Sequence, residues 1–137
     1  MSACLDASVV VSLFLIDSFS PRARALLGAA EGPIVSDWCV VEVSSVIARQ
    51  VRLGAVTAQD SRALFSNFDS WRAGLASVTI SEADMQAAAQ FVRRADLALR
   101  GPDALHIAIC ARLGAKLLTF DARLGAAANV LGVETSP

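Results

Sequence analysis

Residues 101–124 read GPDALHIAICARLGAKLLTFDARL. Pro102 suits the first turn of a helix, where its missing N–H would have no partner, and Gly114 suits the left-handed position just past a helix end. Between them Leu105, Ile107, Ala108 and Ala111 form an apolar helix. Lys116 to Thr119 then reads as a short buried strand, and Asp121 to Leu124 turns into another helix. Helix, short apolar strand and helix, with an acid at the strand's carboxyl end, is the repeating unit of a parallel sheet.

The same grammar runs through the rest of the chain. Ala3 to Asp6 is a short apolar strand feeding a helix over Ala7 to Ile16, and Ser20 is positioned to cap a second helix beginning at Pro21. Pro33 to Ser36 leads into a helix from Trp38 to Leu53, where Val40, Val43, Ile47 and Val51 recur at helical spacing and Gly54 stops the run. Thr57 caps a helix reaching about Arg72. Ser77 to Ile80 is a strand, Ser81 with Glu82 and Asp84 opens a helix through about Arg94, and a last short strand lies near Gly132 to Glu134. Strands alternating with helices predict an α/β sandwich: a mostly parallel sheet of four to five strands with helices on both faces, in one domain over residues 1–137.

Composition narrows the classes of function. The hydrophobic fraction is 55% and the charged fraction 18%, against about 45–50% and about 25% in ordinary domains. Part of that apolar surplus is expected to be covered by a partner, a second copy or a bound peptide. A net charge of −1 gives no overall attraction for nucleic acid, so any basic footprint must be local. Eleven of the twelve basic residues are arginines, which grip phosphate through a planar fork. Arg22, Arg24, Arg49 and Arg52 read as solvated helix faces, and Trp38 as core packing. Cys4, Cys39 and Cys110 sit in apolar runs and read as reduced core residues of a cytoplasmic protein. Val9 to Ile16 lacks the basic flank of a signal peptide, and no segment approaches the roughly 20 apolar residues of a membrane span.

In an open parallel sheet, ligands gather beyond the carboxyl ends of the strands. Asp6 and Asp121 directly follow predicted strands, while Glu42 and Asp103 lie in the first turns of helices. All four can therefore meet in one pocket. Each also has an ordinary reading: Asp103 complementing a helix's positive end, Asp121 an N-cap, Asp6 a turn residue. Glu42 stands among Val40, Val41, Val43 and Val46, so a structural role would require a partner such as Arg49 or a backbone amide.

The segments that carry these acids resemble the motifs of the PIN-domain family: Cys4-Leu5-Asp6-Ala7-Ser8, Glu42-Val43, Asp103-Ala104-Leu105-His106-Ile107-Ala108 and Leu118-Thr119-Phe120-Asp121. The resemblance, nearest to toxins of the VapBC type, spans almost the whole chain. It implies a three-layer sandwich in which Asp6, Glu42, Asp103 and Asp121 are metal-binding and catalytic carboxylates, with Ser8 and Thr119 as supporting hydroxyls. It further implies an endoribonuclease requiring Mg2+ or Mn2+, a cognate antitoxin and a homodimer. Two positions depart from the pattern: Ser45 stands where asparagine is frequent and Ala7 where threonine is common.

Magnesium and manganese take oxygen ligands, and magnesium uses one or two carboxylates while keeping several waters, so four acids suffice for one or two ions. Such an ion orients a water, lowers its pKa and neutralises charge on a phosphodiester under in-line attack, leaving a 5′-phosphate and a 3′-hydroxyl. Metal-free cleavage would need a base and an acid, most often two histidines. The chain has only His106, which the apolar residues after it mark as packed and hydrogen-bonded. A haloacid-dehalogenase-like phosphatase would need a second aspartate two positions after Asp6, where Ser8 stands. A catalytically silent partner-binding module is the rival from another class.

Overall fold

The structure, a computed structural model, describes residues 1–136. Five strands, Ala3–Leu5 (β1), Pro33–Ser36 (β2), Ala76–Val78 (β3), Lys116–Leu118 (β4) and Thr135–Ser136 (β5), form one parallel sheet in the order β3-β2-β1-β4-β5. The connecting helices are Ala7–Phe14 (α1), Ser20–Ala29 (α2), Asp37–Arg52 (α3), Ala58–Ala73 (α4), Glu82–Val92 (α5), Gly101–Leu113 (α6) and Ala122–Val130 (α7).

Alternate residues of the inner strands feed two separate cores. Ala3, Leu5, Val35 and Leu118 pack with Val9, Val43, Ile47 and Phe68 from α1, α3 and α4. Cys4, Ile34 and Leu117 pack on the opposite side with Ile107, Ile109, Leu124 and Ala127 from α6 and α7. Side chains two apart on a strand share a face, and both faces here are covered, which is why the strands read as unbroken apolar runs. Helix α6 is buried along every residue from Ala104 to Cys110, as expected for a helix apolar on all sides. The expected three-layer sandwich is present.

Several boundaries differ from the sequence reading, each because a backbone group is satisfied elsewhere. β3 ends at Val78 rather than Ile80: the Thr79 carbonyl accepts from Arg112 at 3.1 Å, and the Ile80 amide donates to Asp37 at 3.0 Å. β5 starts at Thr135 because Gly132 (φ +82°) and Val133 close α7 with a six-to-one hydrogen bond, Val133 N to Ala128 O at 2.9 Å. Ser20 is not the cap of α2 but its first residue. The Phe19 amide is capped by Asp17 at 2.8 Å, and the Ser20 hydroxyl donates to the Leu15 carbonyl at 3.2 Å, ending α1 two residues early. Gly114 (φ +60°), Thr57 and the Ser81–Asp84 capping box fall where the sequence suggests.

Cys4, Cys39 and Cys110 are buried and unbridged. Trp38 packs between α6 and the sheet with its indole N–H on the Pro102 carbonyl, and Trp71 packs edge-on against Phe14. Among the described residues no helix is long and apolar enough to cross a membrane.

Candidate functional site

From β1 the chain builds outward to β2 and β3 on one side and to β4 and β5 on the other, so the winding reverses between β1 and β4. A crevice opens at such a point beyond the strand ends. Asp6 directly follows β1 and Ser8 lies in the first turn of α1, while the loop after β4 carries Thr119 and Asp121. A pocket of about 320 Å³ lies there, and Asp6, Glu42, Asp103 and Asp121 all line it. Glu42 comes from the second turn of α3 and Asp103 from the first turn of α6.

Asp6 is buried and surrounded by donors. Its Oδ1 accepts from the Ser8 hydroxyl at 2.6 Å and from the Val9 amide at 3.2 Å, and its Oδ2 accepts from the Thr119 hydroxyl. The same two hydroxyls also accept: Ser8 from the Phe120 amide at 2.9 Å, Thr119 from the Asp121 amide at 3.0 Å. Ser8 and Thr119 thus tie the end of β1 to the β4 loop through one carboxylate. Asp121 caps α7, its Oδ1 accepting from Arg123 and Leu124 amides at 2.9 and 3.1 Å. Asp103 pairs with the exposed Arg100 at 3.2 Å.

Glu42 finds a partner that the sequence reading did not name. Neither Arg49, which is exposed, nor a backbone amide holds it; its Oε1 pairs with Nε2 of the buried His106. His106 is packed and hydrogen-bonded, as its apolar surroundings suggested. Asp17 is a fifth acid lining the pocket, with Oδ2 accepting from Ser12 at 2.9 Å. Its position just past a helix end was the one signal available. Arg22, Arg24, Arg49 and Arg52 are exposed.

Burial pushes the Asp6 carboxyl above the usual carboxylate range, and the hydrogen bonds from Ser8 and Thr119, the nearby His106 and the Val9 amide only partly offset it. The folded protein therefore holds this proton more tightly than the unfolded chain. Its contribution to stability declines as pH rises from the ordinary aspartate value through the folded one, and above that the buried charge is a standing cost. In chelator at pH 7, Asp6→Asn should stabilise the protein by about 1 kcal/mol, roughly 3 °C in melting temperature. Its carbonyl can still accept from Ser8 and Val9. The gain should vanish near pH 3, and a loss of that size at pH 7 would instead make the carboxylate structural.

The donor set suits a hard divalent cation, since every acid in the pocket offers oxygen. No three His, Cys, Asp or Glu among the described residues stand close enough to hold one ion together. That spacing fits an ion taking one or two carboxylates directly and the others through its own waters. Among the described residues Asp103 and Glu42 each carry one protein partner, Asp121 two and Asp6 three, and one oxygen each of Asp103, Glu42 and Asp121 is left free.

A family model described as PIN domain matches residues 3–130. The chain belongs to the PIN domain family. Solved structures similar to this PIN domain include Mycobacterium tuberculosis VapC20, described as a sarcin-ricin-loop-cleaving toxin. It is 17% identical with a TM-score of 0.74, over 92% of this chain and 95% of that one. FitAcB from Neisseria gonorrhoeae is 17% identical with a TM-score of 0.77, over 98% and 96%. VapBC2 from Rickettsia felis, bound to a DNA fragment from its promoter, is 12% identical with a TM-score of 0.71, over 99% and 98%. At these identities the likeness establishes a shared fold. No curated protein matches the chain.

Proposed function

We propose that this PIN domain is a Mg2+- or Mn2+-dependent endoribonuclease, the toxin of a VapBC-like pair acting in the cytoplasm. The observation that carries this reading is the convergence of Asp6, Glu42, Asp103 and Asp121, drawn from four separate segments, on one pocket at the point where the sheet winding reverses. Carboxylates lining one partly buried pocket are disfavoured by their like charge. Such a cluster makes sense when a cation fills it.

Asp103 and Asp121, each with one carboxylate oxygen free of protein donors among the described residues, would hold the ion directly, and Asp6, aimed by Ser8 and Thr119, would reach it through one of its waters. When bound, the ion supplies positive charge to the phosphodiester and a water of lowered pKa. His106 keeps Glu42 from turning to solvent. A single histidine, already engaged, does not provide the acid and base pair of a metal-free mechanism. The toxin reading draws on the relatives whose descriptions name toxins or toxin-antitoxin complexes. An antitoxin, or a second copy in a homodimer, would cover apolar side chains such as Val41 and Leu53 along α3, which are 57% and 66% exposed.

The test is incubation of the purified protein with defined RNAs in manganese, magnesium or chelator, with the product ends mapped. Cleavage only with metal, leaving 5′-phosphate and 3′-hydroxyl ends, is the expected result. Cleavage in chelator leaving cyclic phosphates would overturn the mechanism, and no cleavage of any RNA would favour a silent partner-binding module.

A further inference from the structure

A second cleft, of about 450 Å³, adjoins the acid pocket and shares Asp121 with it. It is lined by Arg22 from α2, by Thr119 and Phe120 from the loop after β4, and by Asn129 and Thr135 farther out. The α7 side of the cleft is made by Gly125 and Ala126, whose small side chains leave it open. Arg22 is not loose on the surface. Its guanidinium lies over the Phe120 ring, 5.1 Å from the centroid, and Phe19 packs on the same ring with centroids 5.1 Å apart at 31°. None of the ion pairs among the described residues uses Arg22.

We propose that this cleft seats one base of a single-stranded RNA, against the wall formed by Arg22 and Phe120, beside the phosphate presented to Asp121. The inference rests on the nuclease reading and adds to it a seat for a base outside the acid pocket. Unstacked bases are recognised by aromatic rings and by arginine planes, and the hydroxyl and amide groups of Thr135 and Asn129 can read a base edge. An arginine fixed by a ring offers its plane at low entropic cost, and it supplies locally the positive charge that the chain lacks overall. A third cavity, sharing Asp103 and Asp121 with the acid pocket, carries Arg100 and Arg123. The acids are therefore flanked by two arginine-bearing cavities, an arrangement suited to a polyanion threading across them. A protein segment would use the apolar walls but would have no need of a cation held flat over a ring.

The experiment measures affinity in EDTA, so that nothing is cut, using a fluorescent single-stranded RNA hexamer and the same hexamer made abasic at one position at a time. Wild type, Arg22→Gln and Phe120→Ala are compared, each after a melting curve. Arg22 is exposed, so Arg22→Gln keeps the test valid even if Phe120→Ala folds poorly. The expected result is about tenfold weaker binding of the intact hexamer by both variants, with one abasic position weakening wild type equally and the variants no further. Unchanged RNA affinity in Arg22→Gln overturns the proposal and leaves the cleft to a protein partner. Failure of wild type to bind any RNA in EDTA also overturns the base seat, whereas the nuclease reading stands or falls on the metal-dependent cleavage assay, so the two failures are distinguishable.

Discussion

Asp121→Asn is expected to reduce metal-dependent RNA cleavage a hundredfold or more while moving the melting temperature by only a few degrees. The two effects separate because the cap and the charge are distinct properties of the side chain. Its Oδ1 caps α7 by accepting from Arg123 and Leu124 amides, and asparagine caps as well as aspartate does. The charge, by contrast, is what an ion in the pocket would need, and removing one such ligand forfeits several kcal/mol of transition-state stabilisation. A hundredfold corresponds to about 2.7 kcal/mol. Asp121→Ala should lose activity similarly and also about 1 kcal/mol of stability with the cap. If Asp121→Asn cleaves RNA at the wild-type rate, the residue is a helix cap and nothing more.

Arg112→Ala should cost about 2–3 kcal/mol in chemical denaturation at pH 7, a large effect for a partly exposed residue away from the pocket. Asp84 is 1% exposed and receives two hydrogen bonds from the Arg112 guanidinium, at 2.8 and 2.9 Å, besides the Ser81 amide at 2.9 Å. Burial alone would raise its carboxyl; the guanidinium and the Ser81 donors outweigh that and hold it below the usual carboxylate range. A lowered value means that this stabilisation is present above the ordinary aspartate pKa and is lost as pH falls through the folded one. The gap between wild type and Arg112→Ala should therefore narrow below about pH 4, where the orphaned Asp84 of the variant can take up a proton. A gap that stays constant down to pH 3 would show that lost packing of the arginine stem, not the ion pair, was responsible.

That clamp marks the limit of what the residues alone disclose. Strands β1, β2 and β4 were legible because apolar runs bounded by Gly or Ser and followed by helical spacing leave few alternatives, and the acids at their ends followed from the architecture. Pairings between distant segments were not legible. Asp84 looked like a helix-start acid, a role sufficient in its local setting, and no periodicity links it to Arg112, 28 positions on. Glu42 and His106 lie 64 apart in the chain; the apolar neighbours of Glu42 announced that it needed a partner without saying which. The ends of β3 and β5 were missed for a related reason, since Asp37, Arg112 and the closing turn of α7 claim backbone groups that a strand would otherwise use.

The link from Ser8 through Asp6 to Thr119 joins the ends of two adjacent inner strands, β1 and β4, with β3 and β2 on one side and β5 on the other. Prising that pocket apart would mean separating β1 from β4, which is to say unravelling the centre of the molecule. A partner that silenced such a site would do so by plugging or masking the cavity from outside, and release of the plug would return a site already assembled.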